Sequence, residues 1–403
     1  MSTEPTRCGT VDFMSIARLP WRVRVLLVTV PAGAAMFAAI ALAPTSSDPA
    51  VGDVPRASET QCLPIEPITS VDGLNDIAST LRGSPEFQGA DVGADVELQD
   101  GRRLWVFGDT LRSPTFSGQR FVRNSMLVFD DSCADVVLPA DHGALIPDRE
   151  DGVGYWPMSI AKVEHVGYDL VGVAAQRVRG AAQPDGAAAF ENLGPAIALF
   201  VVRRGDTPQL LEVRDIGADL AGTKRTTWGA ATAVEGGWVY LYGTASPGAD
   251  LVFGFSLQVA RVRPDDILDA SRWRYWDGSR WQQHASEATT LIPATGGVSQ
   301  TLSVFRQAGR WYAVSKRDEF LGSDLVVWSS PGPTGPFFAA PPVAQIPSNE
   351  KTGALRYMPL AHPDLLPEQG SIVVSYSQNN TDVGEINANP FLYRPRFLRI
   401  PLP

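Results

Sequence analysis

Five short stretches decide the fold. Residues 104–108 read Leu-Trp-Val-Phe-Gly, 169–173 Asp-Leu-Val-Gly-Val, 238–243 Trp-Val-Tyr-Leu-Tyr-Gly, 311–315 Trp-Tyr-Ala-Val-Ser and 372–376 Ile-Val-Val-Ser-Tyr. Each is a β-branched and aromatic run of strand length that ends in small or polar residues. Trp105, Val171, Tyr240, Tyr312 and Val374 mark matching places, at intervals of 66, 69, 72 and 62 residues. A second strand-like run follows each one, at 121–129, 196–202, 255–262, 325–329 and 391–400. A unit of this size cannot bury a sheet face alone, so the units must stack around an axis. Each has room for a four-stranded blade, and five units predict an all-β, five-bladed β-propeller. A β-sandwich pair or another β-solenoid is the competing architecture. The propeller is expected over residues 61–403, with 61–90 as a lead-in that helps to close the ring.

The chain before it reads as an address. Residues 25–43 carry no charge, and Arg18, Arg22 and Arg24 stand just ahead of them. The run is long enough to span a bilayer, and the arginines keep its start in the cytoplasm. Residues 1–24 are then a cytoplasmic lead, 25–43 a membrane anchor or a signal peptide cleaved near residues 41–43, and 44–60 a Pro- and Ser-containing linker. The propeller is thus expected outside the cytoplasm, tethered to the plasma membrane or secreted. Cys62 and Cys133 would both face that oxidising side, where they are expected to pair; two buried thiols are the alternative.

Charge narrows the ligands. The formal net charge is −10, and residues 1–43 hold four Arg against Glu4 and Asp12, so the remainder carries −12. An acidic body without a basic patch argues against nucleic acid and anionic lipid, and leaves neutral glycans open. The four histidines (142, 165, 284, 362) show no metal-pair spacing. The sequence has no Gly-x-Ser-x-Gly elbow, phosphate loop or dinucleotide fingerprint. No cofactor is expected, although acidic loops such as 148–151 leave room for a structural calcium. The oligomeric state is left open.

Chemistry is sought where strands meet the axial channel. Residues 91–98 and 103–110 can pair as a hairpin across Asp100-Gly101, which brings Asp91 to Asp109. Asp95, four residues from Asp91, would share its face in extended chain. Two carboxyls at a channel mouth are the equipment for glycosidic cleavage: one delivers a proton to the leaving oxygen, and the other acts ionised as base or nucleophile. An ordinary turn at 108–110 is the bland alternative. Candidate sugar contacts recur at strand ends: Arg123, Asn124, Trp228, Gln300, His362, Tyr376, Asn379 and Arg394. Aromatics with amides and arginine suit a glycan, since flat rings cover apolar sugar faces and amides bond hydroxyls. Asp318-Glu319 reads as a solvated loop, with a third acid as the alternative.

These residues carry a resemblance. Residues 104–110 with 91–93 before them and 123–125 after them resemble the first blade of the actinobacterial endo-D-arabinanase family of propeller glycosidases. Residues 228–230, 239–244, 259–262 and 273–278 are similar to its middle, and 328–337, 362–363, 375–379 and 393–397 to its end. Together they span about residues 85–400. The resemblance implies internal cleavage of the D-arabinan of mycobacterial arabinogalactan and lipoarabinomannan, without a cofactor. It also places the family's acidic pair on Asp91 and Asp109. Residues 315–320 depart from the pattern. A non-catalytic glycan-binding or protein-interaction propeller on the cell envelope is the other expectation.

Overall fold

A computed structural model describes residues 63–81, 84–130, 132–182, 188–222 and 224–403. The expected lead, membrane or signal span and linker, residues 1–60, lie outside them, as does Cys62. Cys133 is disulfide-bonded. Among the described residues no helix is long and apolar enough to cross a membrane.

Five antiparallel sheets form the blades. The first contains β1 (Leu63–Pro64), β2 (Gly89–Glu97), β3 (Arg103–Leu111), β4 (Phe121–Val122), β5 (Ser125–Phe129) and β6 (Cys133–Val136), ordered β1-β6-β5-β3-β2 with β4 also on β3. The second is β7 (Gly154–His165), β8 (Tyr168–Ala182), β9 (Ala188–Arg203) and β10 (Gln209–Asp215). The third is β11 (Thr227–Glu235), β12 (Trp238–Ala245), β13 (Ser256–Val262), β14 (Arg274–Trp276) and β15 (Trp281–Gln282). The fourth is β16 (Ser303–Gln307), β17 (Arg310–Lys316), β18 (Asp324–Ser330), β19 (Phe338–Ala339) and β20 (Ala344–Gln345). The last is β21 (Ala354–His362), β22 (Ser371–Asn380) and β23 (Arg394–Pro401).

The innermost strands are β2, β7, β11, β16 and β21. Ala94, Ala161, Ala231, Ser303 and Ala361, one from each, line an axial channel of about 260 Å³. These five residues are all small, where the five strands converge on one axis. The five recurrent runs are therefore not the channel strands: they are β3, β8, β12, β17 and β22, the second strand of each blade. Their hydrophobic faces are covered on both sides because blades stack face to face. The core is accordingly divided into layers between neighbouring blades. Val171, Val173 and Phe200 meet Leu104 and Val106 between the first two. Tyr312, Val314 and Val327 meet Ile372 and Val374 between the last two.

Closure of the ring falls to the lead-in and to a buried polar chain. Helix α1 (Val71–Thr80) is ten residues long, too short to be stable except by packing. Leu74, Ile77 and Leu81 stand at helical spacing and are buried with Phe87, Trp105 and Phe107 of the first blade and Phe397 of the last. Asn75 accepts from the Phe397 N–H (3.0 Å) and donates to its carbonyl (3.1 Å). Across the same seam, His362 Nδ1 bonds Asp95 Oδ1 (2.5 Å) and Nε2 bonds Ser375 Oγ (2.8 Å). Arg103 also holds Asp95. The geometry is that of a nucleophilic triad, but Ser375 is wholly buried, so it joins blades and has no access to a substrate. Asp95 therefore does not accompany Asp91 toward the mouth as strict alternation would have it. Two register shifts in β2, between Ala90 and Val92 and between Val92 and Ala94, break the alternation.

The charges of His362 and Arg103 hold Asp95 against its burial at about 2, below its ordinary 3.8. A depressed carboxylate stabilises the fold above its ordinary value, and that contribution is lost as pH falls from about 4 toward 2. Asp95→Ala leaves the buried His362 without its anion and Arg103 with only the more exposed Glu97. It should lower the urea midpoint by the equivalent of about 3–5 kcal/mol at pH 7 and by less at pH 3. An unchanged midpoint would show that the seam is held elsewhere.

Candidate active site

The hairpin expected from the sequence forms in the expected register: Ala90 pairs with Thr110, Asp95 with Trp105 and Glu97 with Arg103. Gly101, at φ +86°, makes the turn. Between the Ala90–Thr110 and Val92–Phe107 pairs, Asp91 alone faces Gly108 and Asp109. This bulge turns both carboxyls to the channel mouth. Gly108 is required there, since a Cβ would lie 2.4 Å from Asp91 Oδ1. Other innermost strands shift register at their own mouth ends, between Pro157 and Ser159, Trp228 and Ala231, and Tyr357 and Leu360. At the third blade Gly229 (φ +94°) also lets its strand approach Ala174, whose Cβ would be 2.5 Å from any side chain at Gly229.

Partners from distant blades fix the pair. Tyr357 Oη donates to Asp91 Oδ2 (2.8 Å), and Asn379 Nδ2 donates to Tyr357 Oη (3.2 Å). Tyr393 also hydrogen-bonds Asp91. Trp156 Nε1 donates to Asp109 Oδ1 (2.7 Å). Arg123 pairs with Asp148 and lends positive charge toward Asp109. Burial pushes Asp91 up to about 6 from 3.8, although the two tyrosine hydroxyls work against the rise. Asp109 is pushed well above 3.8, first by burial and then by the negative charge of Asp91. Tyr357 and Tyr393 are themselves raised by burial and by Asp91, so they stay protonated as donors. The pair therefore keeps a proton in the neutral range.

A polar ring continues around the mouth from this pair. Gln176 pairs in register with Trp156, and Gln300 Nε2 donates to Gln176 Oε1 at 2.5 Å. The Gln300 N–H donates to Glu319 Oε2 (2.7 Å). Glu319 is 5% exposed and is pushed up to about 7 by burial. Lys316, pushed down to about 8 by burial, donates from Nζ to the Arg356 carbonyl, next to Tyr357. Glu319 is thus a buried carboxyl rather than part of a solvated loop.

The expected sugar contacts divide. Arg123, Gln300 and Asn379 belong to the mouth. Asn124 does not: it is buried, donating to the Ile146 and Tyr155 carbonyls (both 3.0 Å) to hold a loop. Trp228 is buried against Tyr275, with ring centroids 5.0 Å apart. His362 is spent in the seam with Asp95 and Ser375. Arg394 is buried over the Phe87 ring and donates to the Gln88 carbonyl. Tyr376 packs with the layer between the last two blades. Polar side chains at these strand ends satisfy backbone groups that burial would otherwise strand. Sequence reading missed Tyr357, Trp156 and Gln176; Tyr393 stands in the strand-end group 393–396 that the sequence offers for sugar contacts, and it bonds Asp91. The nearest signal was position: Trp156, Gln176 and Tyr357 stand at the mouth ends of blade strands. Among the described residues no group of three or more His, Cys, Asp or Glu could hold a metal ion. The acidic stretch around 148–151 is engaged by Arg123 and Arg149.

Comparisons with known proteins follow this geometry. The chain belongs to the family described as Domain of unknown function (DUF5005), whose model matches residues 78–401. A protein from Bacteroides ovatus ATCC 8483, described as a hydrolase without a stated substrate, has the same fold at 19% identity. Its TM-score is 0.61, covering 81% of this chain and 89% of that one. At lower similarity stand two glycosidases. One is a family 43 arabinoxylan arabinofuranohydrolase from Bacillus subtilis in complex with cellotetraose (13% identity, TM-score 0.44, 78% and 63% covered). The other is the catalytic domain of a family 62 α-L-arabinofuranosidase from Coprinopsis cinerea (10%, 0.44, 78% and 91%). No curated protein matches the sequence.

Raised carboxyls stabilise the fold only while protonated, so their contribution fades as pH rises through about 6. Asp91→Asn should therefore melt at a higher temperature than the parent, with a gap that widens between pH 4 and 7 to about 1–3 kcal/mol. A gap that stays constant with pH in thermal melts would contradict the burial of an ionisable pair.

Proposed function

We propose that this member of the DUF5005 family is a glycoside hydrolase that cleaves D-arabinan of the mycobacterial-type cell envelope internally, with Asp91 and Asp109 as its catalytic pair. The observation that supports the reading is the meeting of two half-buried carboxyls at the channel mouth, both raised above the usual carboxylate range. Asp109, the more strongly raised, keeps its proton and is the acid. Trp156 occupies Oδ1, which directs Oδ2 and its proton to the glycosidic oxygen. Asp91 is anionic above about 6 and acts as base toward water or as nucleophile, according to the carboxyl separation. Its two tyrosine donors hold it in place. When the proton leaves Asp109, negative charge appears on Asp109 as Asp91 loses its own. The repulsion that raised Asp109 is thereby relieved in the transition state.

The substrate class follows from the resemblance of residues 85–400 and from an acidic surface suited to an uncharged polymer. The arginines ahead of 25–43 support an extracytoplasmic location, tethered or secreted. Cys62 is our proposed partner for Cys133. No cofactor is needed for this chemistry.

Full-length protein incubated with mycobacterial arabinogalactan should release arabino-oligosaccharides, and Asp109→Asn should slow release by about 10²–10⁴-fold. Binding of the polymer without release by either protein would favour a non-catalytic glycan-binding propeller.

A further inference from the structure

Beside Asp91 the backbone of β2 takes a form that its sequence opposes. Val92 has φ +66°. A β-branched residue rarely enters this left-handed region, because its side chain crowds the backbone there. Glycine would adopt the same form without strain, and Gly93 follows at φ +83°. A strained valine persists only where its surroundings hold it. The Val92 N–H donates to Ser377 Oγ of β22 (2.9 Å), and both residues are buried. The Gly93 carbonyl accepts from the Trp105 indole N–H. The Val92 side chain packs in the layer between the first two blades, with Cγ2 3.3 Å from where a Cβ on Gly108 would stand.

Ser377 belongs to a row. Ser375, Ser377 and Asn379 alternate along β22, so they share one face. Tyr357 pairs directly with Ser377 in the neighbouring strand, so its side chain stands on that face too. Every member of the row reaches β2. Ser375 does so through His362, which bonds Asp95. Asn379 does so through Tyr357, whose hydroxyl donates to Asp91. Ser377 takes hold of the backbone itself, at the peptide that joins Asp91 to Val92. A buried serine that accepts from a displaced N–H is commonplace. This N–H belongs to a valine in a conformation it disfavours, one residue from a carboxyl that faces Asp109.

We propose that Ser377 is a positioning residue for Asp91: its hydroxyl keeps Val92 in the left-handed form, and this sets the direction of the Asp91 carboxyl. The proposal rests on the glycoside hydrolase reading of Asp91 and Asp109. Ser377 is wholly buried, so it acts through the backbone and moves no proton. The tyrosines hold the carboxyl, and Ser377 holds its root. Without the bond, Val92 relaxes toward negative φ and the peptide before it turns. The carboxyl is then carried away from Asp109.

The test uses Ser377→Ala, which removes the acceptor, and Val92→Gly/Ser377→Ala, in which glycine takes the left-handed form unaided. On mycobacterial arabinogalactan Ser377→Ala should lower kcat about 10–100-fold with KM unchanged, and the double variant should recover most of that loss. The titratable groups facing Asp91 are Asp109 of β3, Tyr357 of β21 and Tyr393 ahead of β23. Burial outweighs the two tyrosines in raising Asp91, so a carboxyl released toward water titrates lower. The acidic limb of the rate profile should therefore fall below about 6 in Ser377→Ala. A lower melting temperature with kcat and limb unchanged would make Ser377 a seam residue only, which overturns the proposal. A double variant that recovers nothing overturns it too. Should Ser377→Ala fail to fold, kcat of the double variant within about tenfold of the parent supports the proposal, and a larger loss does not. If the parent cleaves no arabinan, the hydrolase reading fails and melting decides the positioning separately. The pH-dependent gain in melting temperature from Asp91→Asn should shrink when Ser377→Ala is also present, and a gain of the same size overturns it.

Discussion

Two carboxyl groups share one poorly hydrated place, and the rest of the mouth is arranged around that fact. Among the described residues the side-chain donors to the pair are neutral: the Tyr357 and Tyr393 hydroxyls for Asp91 and the Trp156 indole N–H for Asp109. Neutral donors orient carboxyls without removing the need for a shared proton. Gly108 provides the space that lets the pair approach. A pair held in this way opposes folding at neutral pH, and the five blade interfaces must supply the difference.

The ring supplies it by layering. Each blade buries both faces of its second strand against its neighbours, so the hydrophobic gain is distributed around the circle. The circle must also be shut. The α1 wedge and the Asp95–His362–Ser375 chain do this between the first and last blades, immediately beneath the hairpin that carries Asp91. Seam and site thus share one strand: the register shifts of β2 give Asp91 to the mouth and Asp95 to the seam. A strand in perfect alternation could not serve both.

What was legible in the sequence follows from the same physics. The second strands announced themselves because burial on both faces demands continuous β-branched and aromatic runs. The hairpin was legible because its partners are local and its turn carries Asp100-Gly101. The innermost strands were not, because bulges erase their alternation. Tyr357 and Tyr393 reach Asp91 across some 266 and 302 positions of chain, and no local pattern encodes such a contact. Asn124, His362 and Arg394 look like ligand contacts in sequence because buried polar groups and binding groups use the same side chains. Glu319 looked solvated for the converse reason: a charged pair in a loop gives no sign that the Gln300 backbone will fold over it.

Family and fold place the chain among propellers of the DUF5005 type, and the proposed chemistry rests on the pair. The pH dependence of kcat/KM for the proposed D-arabinan cleavage tests this most directly. The account predicts an acidic limb near 6, where Asp91 gains its proton, an alkaline limb above it set by Asp109, and no cleavage by the Asp91→Asn/Asp109→Asn double variant at any pH. Cleavage that proceeds unchanged through that range, or that persists in the double variant, would contradict it.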